Sequence, residues 1–303
     1  MASLAGLFNR AVVSVLPAVP RSLVWRFSRR YIAGESLDDA LRTVADLNQR
    51  GMRATLDVLG EDVTKAEEVH TGKDLYLEAL AQISRRRLDC NISIKLSQMG
   101  LRFDERLCHE VVRELMASAQ QHDNFVRIDM EDSSVTSATL AIYRQYRTSY
   151  PAGAVIQAYL RRSHEDVATL LAEGPTHLRL CKGIYVEPEA IAFRDREQVR
   201  DSYRLLLRQM LEGRIVRVGI ATHDPPLIEH AIALIAELKT PPEQYEFQML
   251  LGVAESLRDQ LVRAGHPLRV YVPFGRSWHA YSLRRLRENP QIAGHIVRNL
   301  FHG

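Results

Sequence analysis

The feature that most constrains the fold is an alternation of short apolar runs and longer amphipathic stretches along the 303 residues. Strands that alternate with helices pair in parallel through right-handed crossovers. Eight such units over about 250 residues predict an α/β protein with a (β/α)8 barrel. The predicted strands are Met52–Leu59, Asn91–Ser97, Phe125–Met130, Ala154–Tyr159, His177–Cys181, Ile215–Thr222, Tyr245–Leu250 and Leu268–Pro273.

A doubly wound open sheet is the competing architecture, since it also alternates strands and helices. Such a sheet normally carries a glycine-rich dinucleotide turn after a strand. No GxGxxG segment follows any predicted strand. The pattern therefore favours the barrel.

The residues before the first strand predict two or three helices, the last of them Ser36–Arg50 with Ser36 as its N-cap. We expect residues 1–50 to pack on the outside or the bottom of the barrel. Residues 51–303 then form the barrel as a single domain.

Composition narrows the class of function. A net charge of +3, with basic residues spread along the chain, gives no support to nucleic acid as a partner. The three cysteines, Cys90, Cys108 and Cys181, form no CxxC pair, so we expect no metal site and a reducing, cytoplasmic environment. The apolar run Ala11–Pro20 is too short to span a bilayer.

Polar side chains collect at the carboxyl ends of the predicted strands, which is where barrel enzymes place their active sites. Any one of them is ordinarily a turn former or a helix cap, and Asp224, before two prolines, is expected to be an N-cap. Their recurrence on successive strands indicates an active site. They are Lys95, Asp129, Gln157, Arg179, Lys182, Thr222, His223, Gln248 and Tyr271.

A second constellation follows the last strand. Tyr281, Arg284, Arg285 and Glu288 share one face of a predicted helix. Such a face is commonly solvated, with an ion pair of small energy. Directly after the eighth strand, however, a helix can lie over the barrel mouth, where two guanidinium groups would bind a carboxylate and Glu288 would face an amine.

These residues resemble the proline dehydrogenase family, here in its monofunctional bacterial form. The Tyr281–Glu288 pattern is similar to the family's substrate-binding helix. Four further runs match family motifs in the same order, and the resemblance covers roughly Gly51 to Pro290. They are Ile92–Ser97, Arg179–Tyr185, Ala221–Asp224 and Tyr245–Leu250.

The resemblance implies a distorted barrel that binds FAD without a glycine-rich turn. It implies Asp129 and Arg179 as catalytic residues. Its substrate-binding residues are Lys95, Leu250, Tyr271, Tyr281, Arg284, Arg285 and Glu288. Its cofactor-binding residues are Met130, Gln157, Arg179, Lys182, Gly183, Tyr185, Thr222 and His223.

The implied reaction is hydride transfer from L-proline to flavin N5, giving Δ1-pyrroline-5-carboxylate in the first step of proline catabolism to glutamate. Tyr271 favours proline over hydroxyproline. The electrons would pass to a membrane quinone, so we expect a cytoplasmic protein that rests on the inner face of the membrane. A separate pyrroline-5-carboxylate dehydrogenase would take the product, because 303 residues leave no room for that second enzyme.

Two alternatives stay open at this point. A barrel lyase or aldolase would use Lys95 or Lys182 to form a Schiff base with a carbonyl substrate. A non-catalytic interaction protein would bind its partner through the basic N-terminal helices. The second alternative gives the strand-end residues no function.

Overall fold

A computed structural model describes residues 24–25, 28–213, 215–279 and 281–282. Its eight parallel strands pair in sequence order and close through β1 and β8, so the predicted barrel is confirmed. The strands are β1 Arg53–Val58, β2 Cys90–Ile94, β3 Val126–Ile128, β4 Ala152–Gln157, β5 Thr176–Cys181, β6 Ile215–Ala221, β7 Tyr245–Leu250 and β8 Leu268–Phe274.

Helices follow or precede the strands along the described chain. They are α1 Leu37–Gln49, α2 Ala66–Arg85, α3 Glu105–Gln121, α4 Thr136–Tyr146, α5 Ser163–Ala172, α6 Arg196–Glu212, α7 Pro225–Leu238 and α8 Glu255–Arg263. Each presents an apolar face to the strands; α3, for example, buries Val111, Val112 and Leu115. None of the described helices is long and apolar enough to cross a membrane.

The start of α1 confirms the predicted cap. Ser36 and Asp39 form a capping box in which each side chain accepts a hydrogen bond from the other residue's backbone N–H. The cap fixes where the helix begins, one residue after Ser36.

The place of α1 explains how the last strand meets the first. It packs against β8 and β1 and buries Leu41 and Val44 there. Residues 278–279 and 281–282 are helical. The rest of the predicted helix over the barrel mouth lies outside the described residues.

The inside of the barrel is polar, whereas barrels are usually filled with bulky branched side chains. Arg269 of β8 donates to Glu246 of β7 at 2.7 Å and reaches Asn91 of β2 at 3.1 Å. Arg127 of β3 donates to the carbonyl oxygens of Ala154 and His177 at 3.0 and 3.1 Å. Contacts between strands that are not neighbours can only cross the interior, and pairing is what makes such burial of charge tolerable.

Predicted strand bounds were wrong by two residues or more at four ends, one each of β2 and β3 and both of β4. The structure ends β2 at Ile94, because the Lys95 carbonyl accepts the N–H groups of Gln98 and Met99 in a turn. The fourth strand runs from Ala152 to Gln157 and not from Ala154 to Tyr159. The first shift leaves Lys95 just beyond its strand, at the barrel rim.

Candidate active site

A pocket of about 600 Å³ opens at the carboxyl ends of the strands. Of the predicted site residues that the structure describes, all but Gln157 line it. They are Lys95, Asp129, Met130, Arg179, Lys182, Gly183, Tyr185, Thr222, His223, Leu250, Tyr271 and Tyr281. The other three, Arg284, Arg285 and Glu288, lie outside the described residues and stay predictions.

The Asp129 carboxylate accepts three side-chain hydrogen bonds in this pocket. One of its oxygens accepts hydrogen bonds from the Ser93 hydroxyl at 2.6 Å and from Arg179 at 2.7 Å. The other accepts the Tyr271 hydroxyl at 2.7 Å. Burial raises the pKa of Asp129, but the charges of Arg179 and Lys95 outweigh it, and the pKa falls below its usual value. Asp129 is therefore an ionised anchor.

Lys95 stands between two carboxylates. Its Nζ lies 2.7 Å from Oδ1 of Asp57 and 3.9 Å from Oδ2 of Asp129. Burial lowers the pKa of Lys95, whereas the negative charges of Asp57 and Asp129 raise it, with a net rise. A Schiff-base lysine must be neutral to attack a carbonyl, so this environment disfavours the lyase or aldolase alternative for Lys95.

Arg179 is held from below by a chain of buried polar groups. Its Nε donates to the Gln248 side chain at 2.5 Å, and the Gln248 amide donates to Glu246 at 2.7 Å. Burial raises the pKa of Glu246, but Arg269 more than offsets this and the pKa falls to about 2. The guanidinium of Arg179 is thus fixed between Gln248 and Asp129, with the Tyr271 ring centre 5.3 Å from its central carbon.

Lys182 belongs to a separate ion cluster, and here one prediction was wrong in part. Asp224 occupies the N-cap position of α7, but its side chain makes no capping hydrogen bond. It instead pairs with Lys182 at 3.0 Å and Arg200 at 2.9 Å. A capping carboxylate binds the N–H of the second or third helical residue. The second is Pro226, which has no N–H, and the third, Leu227, donates to the Asp224 backbone carbonyl at 3.0 Å. The Lys182 ammonium group is thus held by the Asp224 carboxylate.

The remaining predicted residues shape the wall. Gly183 has φ +105, and a Cβ there would collide with the ring of Tyr159. His223 accepts the Leu250 backbone N–H through Nε2 at 2.9 Å. Gln157 is buried beneath the pocket, where its amide donates to the Glu131 carbonyl oxygen at 2.9 Å.

Several pocket residues were missed as site residues. The sequence assigns no role to Asp57, Ser93, Gln248 and Arg196, of which three line the pocket while the fully buried Ser93 donates to Asp129. A signal existed for the first three. Each interrupts an apolar strand run at the alternate positions, which is the pattern of a strand whose inner face is polar.

A buried, charge-lined pocket at the carboxyl ends of eight parallel strands defines a barrel enzyme. Comparison with protein-family models finds a match to "Proline dehydrogenase" over residues 40–298. Proline dehydrogenase 1 of Bacillus subtilis subsp. natto is 38% identical over 275 residues, which are 90% of each chain. Proline dehydrogenase of Deinococcus radiodurans is 32% identical and covers 98% of this chain and 99% of its own.

A solved structure of proline utilization A (PutA) from Bdellovibrio bacteriovorus, inactivated by N-propargylglycine, has the same fold, with a TM-score of 0.84 and 25% identity. The match covers 93% of this chain and 37% of that longer one. The chain belongs to the proline dehydrogenase family. It is an oxidoreductase of that type.

Proposed function

We propose that this enzyme oxidises L-proline to Δ1-pyrroline-5-carboxylate with FAD as its cofactor, by hydride transfer to flavin N5. The observation that carries the proposal is the set of fixed charges in the pocket, where the buried Lys95 and Arg179 both lie within ion-pair distance of the half-buried Asp129. Two cations and an anion beside a cavity suit a small zwitterion, which carries both signs of charge.

The pocket fits a flavin dinucleotide in its chemistry. Lys182 and Arg196 provide positive charge on one side of the cavity, as a pyrophosphate requires. Gly183 lets the backbone approach closely where a Cβ could not be placed. FAD when bound would supply the hydride acceptor. Met130, Gln157, Arg179, Lys182, Gly183, Tyr185, Thr222 and His223 are proposed to hold it.

The protein's own part is to orient the amino acid and keep its nitrogen lone pair available. Loss of hydride from the carbon next to nitrogen gives an iminium, so the nitrogen must be neutral at that moment. Lys95, with Arg284 and Arg285, would bind the carboxylate, and Glu288 would lie near the amine. Leu250, Tyr271 and Tyr281 would enclose the ring, which is catalysis by orientation.

Asp129 and Arg179 would set the electrostatics of the reacting centre. Asp129 is fully paired and ionised, so it suits the stabilisation of positive charge on the iminium. Arg179 would stabilise the negative charge that the flavin would gain as the substrate is oxidised.

The electron acceptor and the partners belong to the same proposal. The electrons would pass to a membrane quinone, and a separate pyrroline-5-carboxylate dehydrogenase would consume the product. A cytoplasmic enzyme that rests on the inner face of the membrane would reach the quinone in the bilayer. It would also release its product on the side where the second dehydrogenase would take it up.

The test is the visible spectrum of the purified protein. We expect flavin absorption bands that disappear when L-proline is added without oxygen. Borohydride trapping with a keto acid is the parallel test of the lyase alternative. A colourless protein, or a flavin that proline does not bleach, would reject the proposal.

The carboxylate-binding role is tested by Arg284→Ala and Arg285→Ala. Each should weaken proline binding by about tenfold or more while the flavin stays bound, because a charge-assisted hydrogen bond is lost. Unchanged substrate affinity in both variants would remove these arginines from the site.

A further inference from the structure

Asp57 is a buried acid in the pocket wall whose role the sequence did not suggest. It is the last inward-facing residue of β1, with no exposed surface. Its Oδ1 lies 2.7 Å from Lys95 Nζ. Its Oδ2 is buried and has no hydrogen-bond partner among the described residues. A buried oxygen without a hydrogen-bond partner calls for an explanation, and the negative charge that Asp57 presents to Lys95 supplies one.

Lys95 needs such a charge. Its side chain is 9% exposed, and burial of an ammonium group favours the neutral amine. Asp129 cannot serve alone, because it lies 3.9 Å away and its oxygens are bonded to Ser93, Arg179 and Tyr271. Asp57 is the carboxylate at hydrogen-bond distance from Lys95 in the described part of the chain.

The other titratable groups around the pair leave this conclusion unchanged. Those that face Lys95 or Asp57 are Tyr76 of α2, Asp129 at the end of β3, Glu131 beyond it, Arg179 of β5 and Tyr271 of β8. Glu131 bonds to Ser97, and the Tyr76 hydroxyl donates to the Ser93 carbonyl oxygen at 2.7 Å. Both are thus engaged elsewhere.

We propose that Asp57 is a positioning residue that keeps Lys95 protonated and fixed at the pocket wall, so that the ammonium group can bind the substrate carboxylate. Asp57 itself does not touch the substrate, because it has no accessible surface. The inference rests on the proposed function, in which Lys95 meets the carboxylate of proline.

The variant Asp57→Asn separates charge from shape. Asparagine keeps the size of the side chain and an oxygen that can accept from Lys95, but it removes the negative charge. We expect the dissociation constant for L-proline, from the saturation of the flavin-reduction rate, to rise about tenfold. The ratio of this constant to that of the parent should rise further between about pH 7 and 10, because Lys95 loses its proton in the variant while the parent keeps it. The reduction rate at saturating proline should change much less.

A double-mutant cycle tests whether Asp57 acts through Lys95. In Lys95→Met, Asp57 becomes a buried anion without a counter-ion, which is strongly unfavourable. Adding Asp57→Asn to Lys95→Met should therefore raise the midpoint of thermal unfolding and leave proline affinity as it was. If Asp57→Asn alone folds poorly, the thermal stability and proline affinity of this double variant, compared with Lys95→Met, still test the inference.

Asp132→Asn is the matched control. It also removes a negative charge paired with a cation, Arg102, but it lies off the pocket, and we expect the parent's affinity and pH profile. Parental affinity with the parent's pH profile in Asp57→Asn would overturn the inference. The inference would also be overturned if Asp57→Asn weakened proline affinity in Lys95→Met by the same factor as in the parent. Failure of the parent to be bleached by proline would instead reject the proposed function.

Discussion

At the scale of the residue, the site depends on a few side chains whose charges are fixed by neighbours from distant strands. Asp129 receives hydrogen bonds from residues of β2, β5 and β8. No local sequence pattern reveals such a partner set, because the strands are separated by whole helices. The sequence could show that a carboxylate stands at a strand end, but not that it is saturated with donors.

Tyr271→Phe removes one of those donors. We expect kcat/KM to fall about 10- to 150-fold, because a hydrogen bond to a charged acceptor contributes about 1.5 to 3 kcal/mol. Tyr143→Phe is the control, since its buried hydroxyl also makes a hydrogen bond, to Thr176 at 2.6 Å, but away from the pocket. Steady-state kinetics with parental activity in Tyr271→Phe would contradict the role given to this contact.

Gly183→Ala tests the close approach of backbone and ring. A Cβ at this positive φ collides with Tyr159, so we expect a loss of about 1 kcal/mol or more in stability and weaker flavin retention. Gly174→Ala has a similar strain, with φ +133, but no neighbour within 4 Å of the new atom. Flavin content after gel filtration distinguishes the two variants, because only Gly183→Ala is expected to lose flavin. Equal flavin retention in both variants would show that Gly183 has no special part in the pocket.

At the scale of the element, the strands were predictable and their inner face was not. A buried parallel strand such as β4 reads as an apolar run, and runs of this kind, some broken by single polar residues as in β7, located every strand within a few residues. The alternation along β1 places Thr55 and Asp57 on the same face of the strand. It does not indicate whether this face points into the barrel or towards the helices. Most missed site residues, Asp57, Ser93 and Gln248, lie on that face.

The bottom of β5 offers a pH test of the polar interior. Burial and then Arg127 lower the pKa of His177 to about 4. The unfolded chain therefore binds a proton between about pH 6.5 and 4 that the folded protein does not, and stability present above pH 6.5 is lost as the pH falls through this window. The slope from one group is at most about 1.4 kcal/mol per pH unit.

The measurement is the free energy of unfolding of the parent and of His177→Asn from pH 7 to 4. The difference between the two proteins should change with pH in this window only. The exposed His70, replaced in the same way, is the control. A difference that does not vary with pH would mean that His177 is protonated in the folded protein.

At the scale of the whole molecule, α1 belongs to the barrel although it precedes the first strand. It covers the seam between β8 and β1, so the barrel and the helix should unfold as one unit. Leu41→Ala is expected to lower the unfolding free energy by about 2 to 5 kcal/mol, because it empties a fully buried site. Fluorescence and circular dichroism should report one shared transition. Two separate transitions would make α1 an appendage.

The central claim is that the barrel interior holds Lys95 as a fixed cation for the carboxylate of a cyclic amino acid. Its most direct measurement is the proline concentration dependence of anaerobic flavin reduction in Lys95→Met, with the exposed Lys65→Met as control. The account predicts a dissociation constant raised by about 10- to 100-fold with flavin still bound, and no change in the control. Parental affinity in Lys95→Met would contradict it.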